Sequence, residues 1–185
     1  MRIQIIGGSG TGKSTLGEYF AHREQIKWID TDSYLWKDDT FLENNPIEIR
    51  REMYQRDISS NKCYVVSGSI FSWHPDGFSD LELLVFLSLP ENERMDRIRK
   101  REISRKTSKQ SWLDEHGLYT NDFIEWCKTY LTETDKSQGG TYVAQRYEME
   151  LSQSPILRLD SSKEVEALYD EIKQYLRIHN LDRLS

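Results

Sequence analysis

The stretch Gly7-Gly8-Ser9-Gly10-Thr11-Gly12-Lys13-Ser14-Thr15 contains G-x-x-x-x-G-K-[ST], the spacing of a phosphate-binding loop. Its glycines let the backbone take positive φ and approach an anion closely. Successive amides, followed by a helix N-terminus, aim partial positive charge at that anion. In such a loop Lys13 reaches the β- and γ-phosphates of a nucleoside triphosphate, and the Ser14 hydroxyl ligates Mg²⁺. A second set of oxygens lies in Trp28-Ile29-Asp30-Thr31-Asp32-Ser33. Of Asp30 and Asp32, one could hold Mg²⁺ through water and the other could accept a proton from an acceptor hydroxyl. Asp32 is favoured as that base; the bland alternative is that these residues cap a helix.

A third set is cationic. From Arg94 to Lys109 there are eight basic and two acidic residues. Arg94, Arg97, Arg101 and Arg105 recur at helical spacing and predict one stripe. Guanidinium groups on one face repel unless anions neutralise them, and a triphosphate is the economical anion. A solvated basic face or a nucleic-acid patch would show the same spacing.

Elements that could position these groups are legible around them. Arg2–Ile6, Lys27–Asp30, Cys63–Ser67, Leu83–Leu87 and Pro155–Leu159 read as strands. Helical patterns run from Lys13 to His22 and from Pro46 to Ser59, begin again at Pro90, and return from Asn121 to Leu131. The polar stretch Thr132–Thr141 reads as a loop. Ser161-Ser162-Lys163-Glu164 predicts a capping box before a last helix carrying Val165, Leu168, Ile172 and Leu176 on one face. Strands alternating with helices predict an α/β fold with a parallel sheet. The aspartates then fall at the C-terminal edge of that sheet, where the phosphate-binding loop also lies.

With 185 residues the chain fits one domain. A net charge of −6 argues against a mainly nucleic-acid-binding protein. The absence of an apolar run of about 18 residues argues against a membrane partner. The phosphate loop's strand opens the sequence, so no signal peptide is expected. Cys63 and Cys127 lack metal or redox spacing and suggest reduced thiols in a cytoplasmic protein, monomeric or homodimeric. The four histidines form no ligand pattern.

Several classes use such a loop. A guanine-reading N-K-x-D is missing, since Asn61-Lys62-Cys63-Tyr64 lacks the aspartate. An ABC or AAA+ ATPase would need more chain and further motifs, so a compact small-molecule or nucleotide kinase remains. The loop GGSGTGKST, the strand end WIDTD, the strand LVFLSLP and the helix DRIRKR resemble the adenylate kinase/shikimate kinase superfamily, and in particular its poorly characterised bacterial members. The resemblance implies a three-layer P-loop sandwich with a five-stranded parallel sheet of order 2-3-1-4-5. It also implies a substrate-binding segment over residues 34–60 and a lid over residues 105–145. It implies that Arg97 and Arg101 meet ATP, that Arg146 is a second lid arginine, and that Asp160 to Lys163 line adenine. Arg50, Arg51 or Arg56 would clamp the acceptor.

Two departures matter. Ser67 stands where a Walker B aspartate is common, and Ser67-Gly68-Ser69 replaces the triple glycine of shikimate kinases. The adenylate kinase D-G-F-P-R has no counterpart, because Asp76-Gly77-Phe78 falls too late and lacks Pro-Arg. The expectation is therefore an ATP- and Mg²⁺-dependent phosphotransferase acting on a small-molecule acceptor. A nucleoside monophosphate is favoured slightly over a sugar or cyclitol hydroxyl. The rival is an ATP-binding regulator with little turnover, which Ser67 keeps open. Trp36, Trp73, Trp112 and Trp126 fall in the inferred substrate and lid segments, where they could stack a planar acceptor or simply pack.

Overall fold

The computed structural model describes residues 1–37, 43–75, 81–105 and 110–181. Asp76-Gly77-Phe78, together with Lys106 and Lys109 of the basic run, lies outside the described residues.

The sheet starts from Arg2–Gly7 (β1), whose residues after Arg2 are all buried. Near-continuous apolar strands suit a parallel sheet covered on both faces. Its neighbours are Tyr64–Ser67 (β3) and Leu83–Ser88 (β4), with Lys27–Asp30 (β2) and Ile156–Asp160 (β7) at the edges. The order is β2-β3-β1-β4-β7 and all pairings are parallel. Counting only the strands of this sheet, that is the expected 2-3-1-4-5. Cys63 falls just before β3 rather than in it, and its Sγ accepts from the N-terminal ammonium.

Alternation along β1 divides the core. Ile3 and Ile5 meet Leu16 and Phe20 of helix Lys13–Glu24 (α1) and Leu168, Ile172 and Leu176 of helix Val165–Ile178 (α7). Ile6 faces Tyr54 of helix Ile47–Ser60 (α3) and Met149 of helix Tyr142–Leu151 (α6). The result is helix, sheet, helix.

The parts outside this frame differ from expectation in four ways. Helix Glu91–Arg105 (α4) begins one residue after Pro90. The Asn121–Leu131 pattern divides into helix Asp122–Lys128 (α5) and a 3-10 turn, Thr129–Leu131. Asn121 is its N-cap, accepting from the Ile124 N–H. A hairpin, Ser111–Leu113 (β5) with Tyr119–Asn121 (β6), precedes it and was not expected. The capping box does not form. Glu164 precedes α7 without a side-chain cap, because Asp160 has already taken the turn by accepting from the Ser162 N–H at 3.0 Å. No helix among the described residues is long and apolar enough to cross a membrane.

Candidate phosphoryl-transfer site

The phosphate loop joins β1 to α1. Gly12 caps α1 with φ +84°, which places Lys13, Ser14 and Thr15 in the first turn. Gly10, at φ +86°, lies so close to α4 that an added Cβ would stand 2.9 Å from the Arg94 carbonyl oxygen and 2.8 Å from Ile98 Cγ1. Both positions need glycine, the second for space as well as for φ.

A short helix, Asp32–Leu35 (α2), follows β2. Thr31, not an aspartate, is its N-cap, and its own side chain makes no cap bond. Asp30 Oδ1 accepts from the Asp32 N–H at 3.2 Å. The capping reading is thus met at Asp30, whose carboxylate takes the first N–H of α2, while the Asp32 carboxylate caps no helix. Asp30 and Asp32 line a cleft of about 910 Å³ together with the loop residues Ser9, Gly10, Gly12, Lys13, Ser14 and Thr15. Arg97, Arg101 and Arg105 line it from α4. The expected groups therefore converge on one space.

Its electrostatics are mutually dependent. Burial pulls the Lys13 ammonium down, while Asp32 and Asp30 hold it up against nearby Arg101. In this structure Lys13 Nζ donates to the Gly8 carbonyl at 3.0 Å. Burial first, and then the charge of Asp32, pushes the Asp30 carboxyl above its usual range; the Ser14 hydroxyl bonded to it acts the other way. A hydroxyl and two carboxylates, one of them raised by the other, form a hard-oxygen set that a divalent cation would relieve. This fits Mg²⁺, which takes few protein ligands and completes its shell with water and phosphate. No cluster of three or more His, Cys, Asp or Glu side chains that could hold a metal alone occurs among the described residues.

Ser67 is not free to act as a distant metal ligand. Its buried hydroxyl donates to the Lys13 carbonyl at 3.0 Å and accepts from Trp28 Nε1 at 3.0 Å. It ties β3 to the first turn of α1. Gly17 makes room for it, since an added Cβ there would come within 2.1 Å of Ser67 Oγ.

The basic stripe holds in part. Arg97 Nη2 donates to the Ser161 carbonyl at 3.1 Å, joining α4 to the turn after β7. The Arg101 guanidinium lies 5.5 Å from the Phe123 ring centre. Arg94 departs from the stripe: its side chain is only 1% exposed, bonded to Glu91 and to the Ser9 and Cys127 carbonyls. It sits one turn nearer the sheet, where α4 packs against the loop, so spacing that gave the face did not give the depth.

Other expected residues are not brought here. Gly7 and Gly8 are not on the cleft wall; Gly7 turns its carbonyl to Gln145 Nε2 at 2.9 Å. Thr11 is buried and braces the loop through Oγ1 to the Gly8 carbonyl at 2.9 Å. Arg146 points outward, paired with Glu150 at 3.1 Å, and does not line the cleft. Nor do Arg50, Arg51 and Arg56. Arg50 donates to the Asn45 carbonyl and Arg51 to the Trp73 carbonyl. Trp73 is core, edge-on to Tyr34 and Tyr54. Trp36 and Trp126 do line the cleft, while Trp112 lies on the hairpin. Two residues that the sequence motifs do not single out, Gln145 and Tyr130, lie against the loop. A glutamine at a buried position of the α6 stripe, between Tyr142 and Met149, was the available signal.

Comparison with known proteins bears on the family and the fold. The model of the AAA_18 family, described as an AAA domain, matches residues 3–117. That description runs against the exclusion of AAA+ proteins drawn from chain length and motifs; the matched part is the P-loop half of the chain. "Uncharacterized protein YqaC" of Bacillus subtilis (strain 168) is 29% identical over 174 residues, which is 94% of this chain and 96% of that protein. Shikimate kinase from Aquifex aeolicus is similar in structure over 99% of this chain and 100% of its own, with a TM-score of 0.55 at 19% identity. Deoxyadenosine kinase from M. mycoides, solved with dCMP and a flexible dCDP, matches over 96% and 99%, with a TM-score of 0.54 at 13% identity. Such identities speak for the fold. The chain belongs to the AAA_18 family of AAA domains, as a P-loop protein with the fold of the small-molecule kinases.

Proposed function

We propose that the protein is a kinase that moves the γ-phosphoryl group of ATP to a small metabolite. The observation that carries this reading is the convergence of Lys13, Asp30, Asp32, Arg97 and Arg101 on one cleft. Its volume of about 910 Å³ leaves room for an acceptor beside a triphosphate. The α1 N-terminus and Lys13 bind the phosphates, while Arg97 and Arg101 neutralise charge from α4. Ser14 and Asp30 would hold Mg²⁺, which supplies charge neutralisation at the phosphates, and Asp32 is left to act as the base. Asp32 accepts the acceptor's proton as its oxygen bonds to the γ-phosphorus; the bond to the bridging oxygen breaks and ADP leaves.

The acceptor is best read as a hydroxyl compound. Of the arginines that favoured a nucleoside monophosphate, Arg50 and Arg51 donate to the Asn45 and Trp73 carbonyls, and none of Arg50, Arg51 and Arg56 lines the cleft. Among the described residues the substrate segment contributes Leu35, Trp36 and Asn44 to the cleft, none of them cationic. The two kinases compared above are named for hydroxyl-bearing acceptors. The aromatic residues Trp36, Phe123 and Trp126 favour a planar acceptor over a bare polyol. ADP release measured with nucleosides, nucleoside monophosphates, sugars and cyclitols tests both parts. Acceptor-dependent release supports a kinase, and its absence across the panel favours an ATP-binding regulator.

A further inference from the structure

The phosphate loop is gripped from behind by three side chains that the cleft itself does not use. Arg94 Nη1 donates to the Ser9 carbonyl at 3.0 Å, and Nη2 donates to the Cys127 carbonyl at 2.7 Å. Glu91 takes the rest of the fork, from Nε at 2.8 Å and from Nη2 at 2.6 Å. The Tyr130 ring covers the guanidinium, 4.6 Å from its centre. Tyr130 in turn donates from its hydroxyl to Gln145 Oε1 at 2.8 Å, and Gln145 Nε2 donates to the Gly7 carbonyl at 2.9 Å. Arg94, Tyr130 and Gln145 come from α4, the 3-10 turn and α6, and all three are buried.

A buried guanidinium is expensive unless its hydrogen bonds are made, and here two of them end on backbone carbonyls. The consequence for the loop follows from peptide geometry. In a trans peptide the C=O and the next N–H point in opposite directions, and no cis bond occurs among the described residues. Fixing the Ser9 carbonyl toward Arg94 therefore turns the Gly10 N–H away from Arg94, and Gly10 lines the cleft.

We propose that Arg94, supported by Tyr130 and Gln145, is a positioning residue that aims the Gly10 amide at the phosphate chain and ties that aim to the α5 segment through the Cys127 carbonyl. This deepens the kinase reading and rests on it. Lysine at position 94 keeps the charge but loses the planar fork, so it cannot hold Ser9, Cys127 and Glu91 together.

The test compares wild type with Arg94→Lys well below the melting temperature of either. With the best acceptor, kcat per folded molecule should fall roughly 10- to 100-fold while the acceptor KM stays near wild type. In amide NMR, the shift of the Gly10 resonance on adding Mg-ATP should shrink. Unchanged kcat and an unchanged Gly10 response, with only a lower melting temperature, would overturn the proposal and leave Arg94 as packing. Where Arg94→Lys does not fold, Tyr130→Phe keeps the ring and removes the bond to Gln145; a several-fold loss of kcat supports the proposal and none overturns it. Where wild type shows no turnover with any acceptor, the kinase reading fails, and the Gly10 response still decides this one.

Discussion

At the scale of single residues, Lys13 and Asp32 have separable roles. Lys13→Ala should remove acceptor-dependent turnover by about two to five orders of magnitude. Its ammonium faces the cleft rather than the core, so thermal stability should change little. Asp32→Asn keeps size and removes basicity. It should lower kcat far more than it weakens ATP binding, measured by titration calorimetry, because Asp32 caps no helix here. Equal losses in both would return Asp32 to a purely binding role. A third residue makes a prediction about stability. Glu148 is buried against Ser69 and Gln4, and burial pushes its carboxyl up to about 7. A raised folded value means the neutral form suits the fold, so stability is lost as the unfolded chain ionises above about pH 4.5 and levels off above about 7. The loss is worth up to about 3 kcal/mol. Urea denaturation should show Glu148→Gln gaining on wild type between pH 5 and pH 8; a constant difference would mean that the carboxylate is solvated.

At the scale of elements, α4 separates three kinds of arginine. Arg97 and Arg101 face the cleft, Arg94 faces the loop's back, and Arg99 faces Asp96 and Asp114. Arg97→Ala or Arg101→Ala should weaken ATP by roughly ten- to a hundred-fold, the value of one charge-assisted contact at about 1.5–3 kcal/mol. Arg99→Ala should leave ATP affinity within about twofold. Affinities measured by calorimetry would show the helix facing to be wrong if Arg99 mattered as much as Arg97. The same helix shows where sequence reading stops. Spacing by three and four placed the four arginines on one side, but burial depends on what packs there, and the partners Ser9 and Cys127 are 85 and 33 positions away. The phosphate loop and the strand end with Asp30 and Asp32 were legible because local geometry fixes both. The three-residue strands of the hairpin are too short for alternation to register. Arg50 and Arg51 looked available because nothing in sequence reveals a bond to a backbone carbonyl.

At the scale of the whole molecule, the sheet order brings the ends of β1 and β2 to one edge, and α4 closes the space above them. Strands alternating with helices were enough to anticipate a parallel sheet covered on both faces, whereas its strand order was implied by the resemblance to the adenylate kinase/shikimate kinase superfamily. What the frame does not determine is the acceptor, which depends on side chains such as Leu35 of α2, Trp36, Asn44, and Phe123 and Trp126 of α5. The central claim is that this cleft transfers a phosphoryl group rather than merely holding ATP. The direct measurement is ADP release by wild type and Lys13→Ala across a panel of nucleosides, nucleoside monophosphates, sugars and cyclitols with Mg-ATP. The account predicts that at least one hydroxyl acceptor raises ADP release well above the acceptor-free rate, with a phosphorylated product, and that Lys13→Ala abolishes the increase. Acceptor-dependent release that persists at full rate in Lys13→Ala would contradict it.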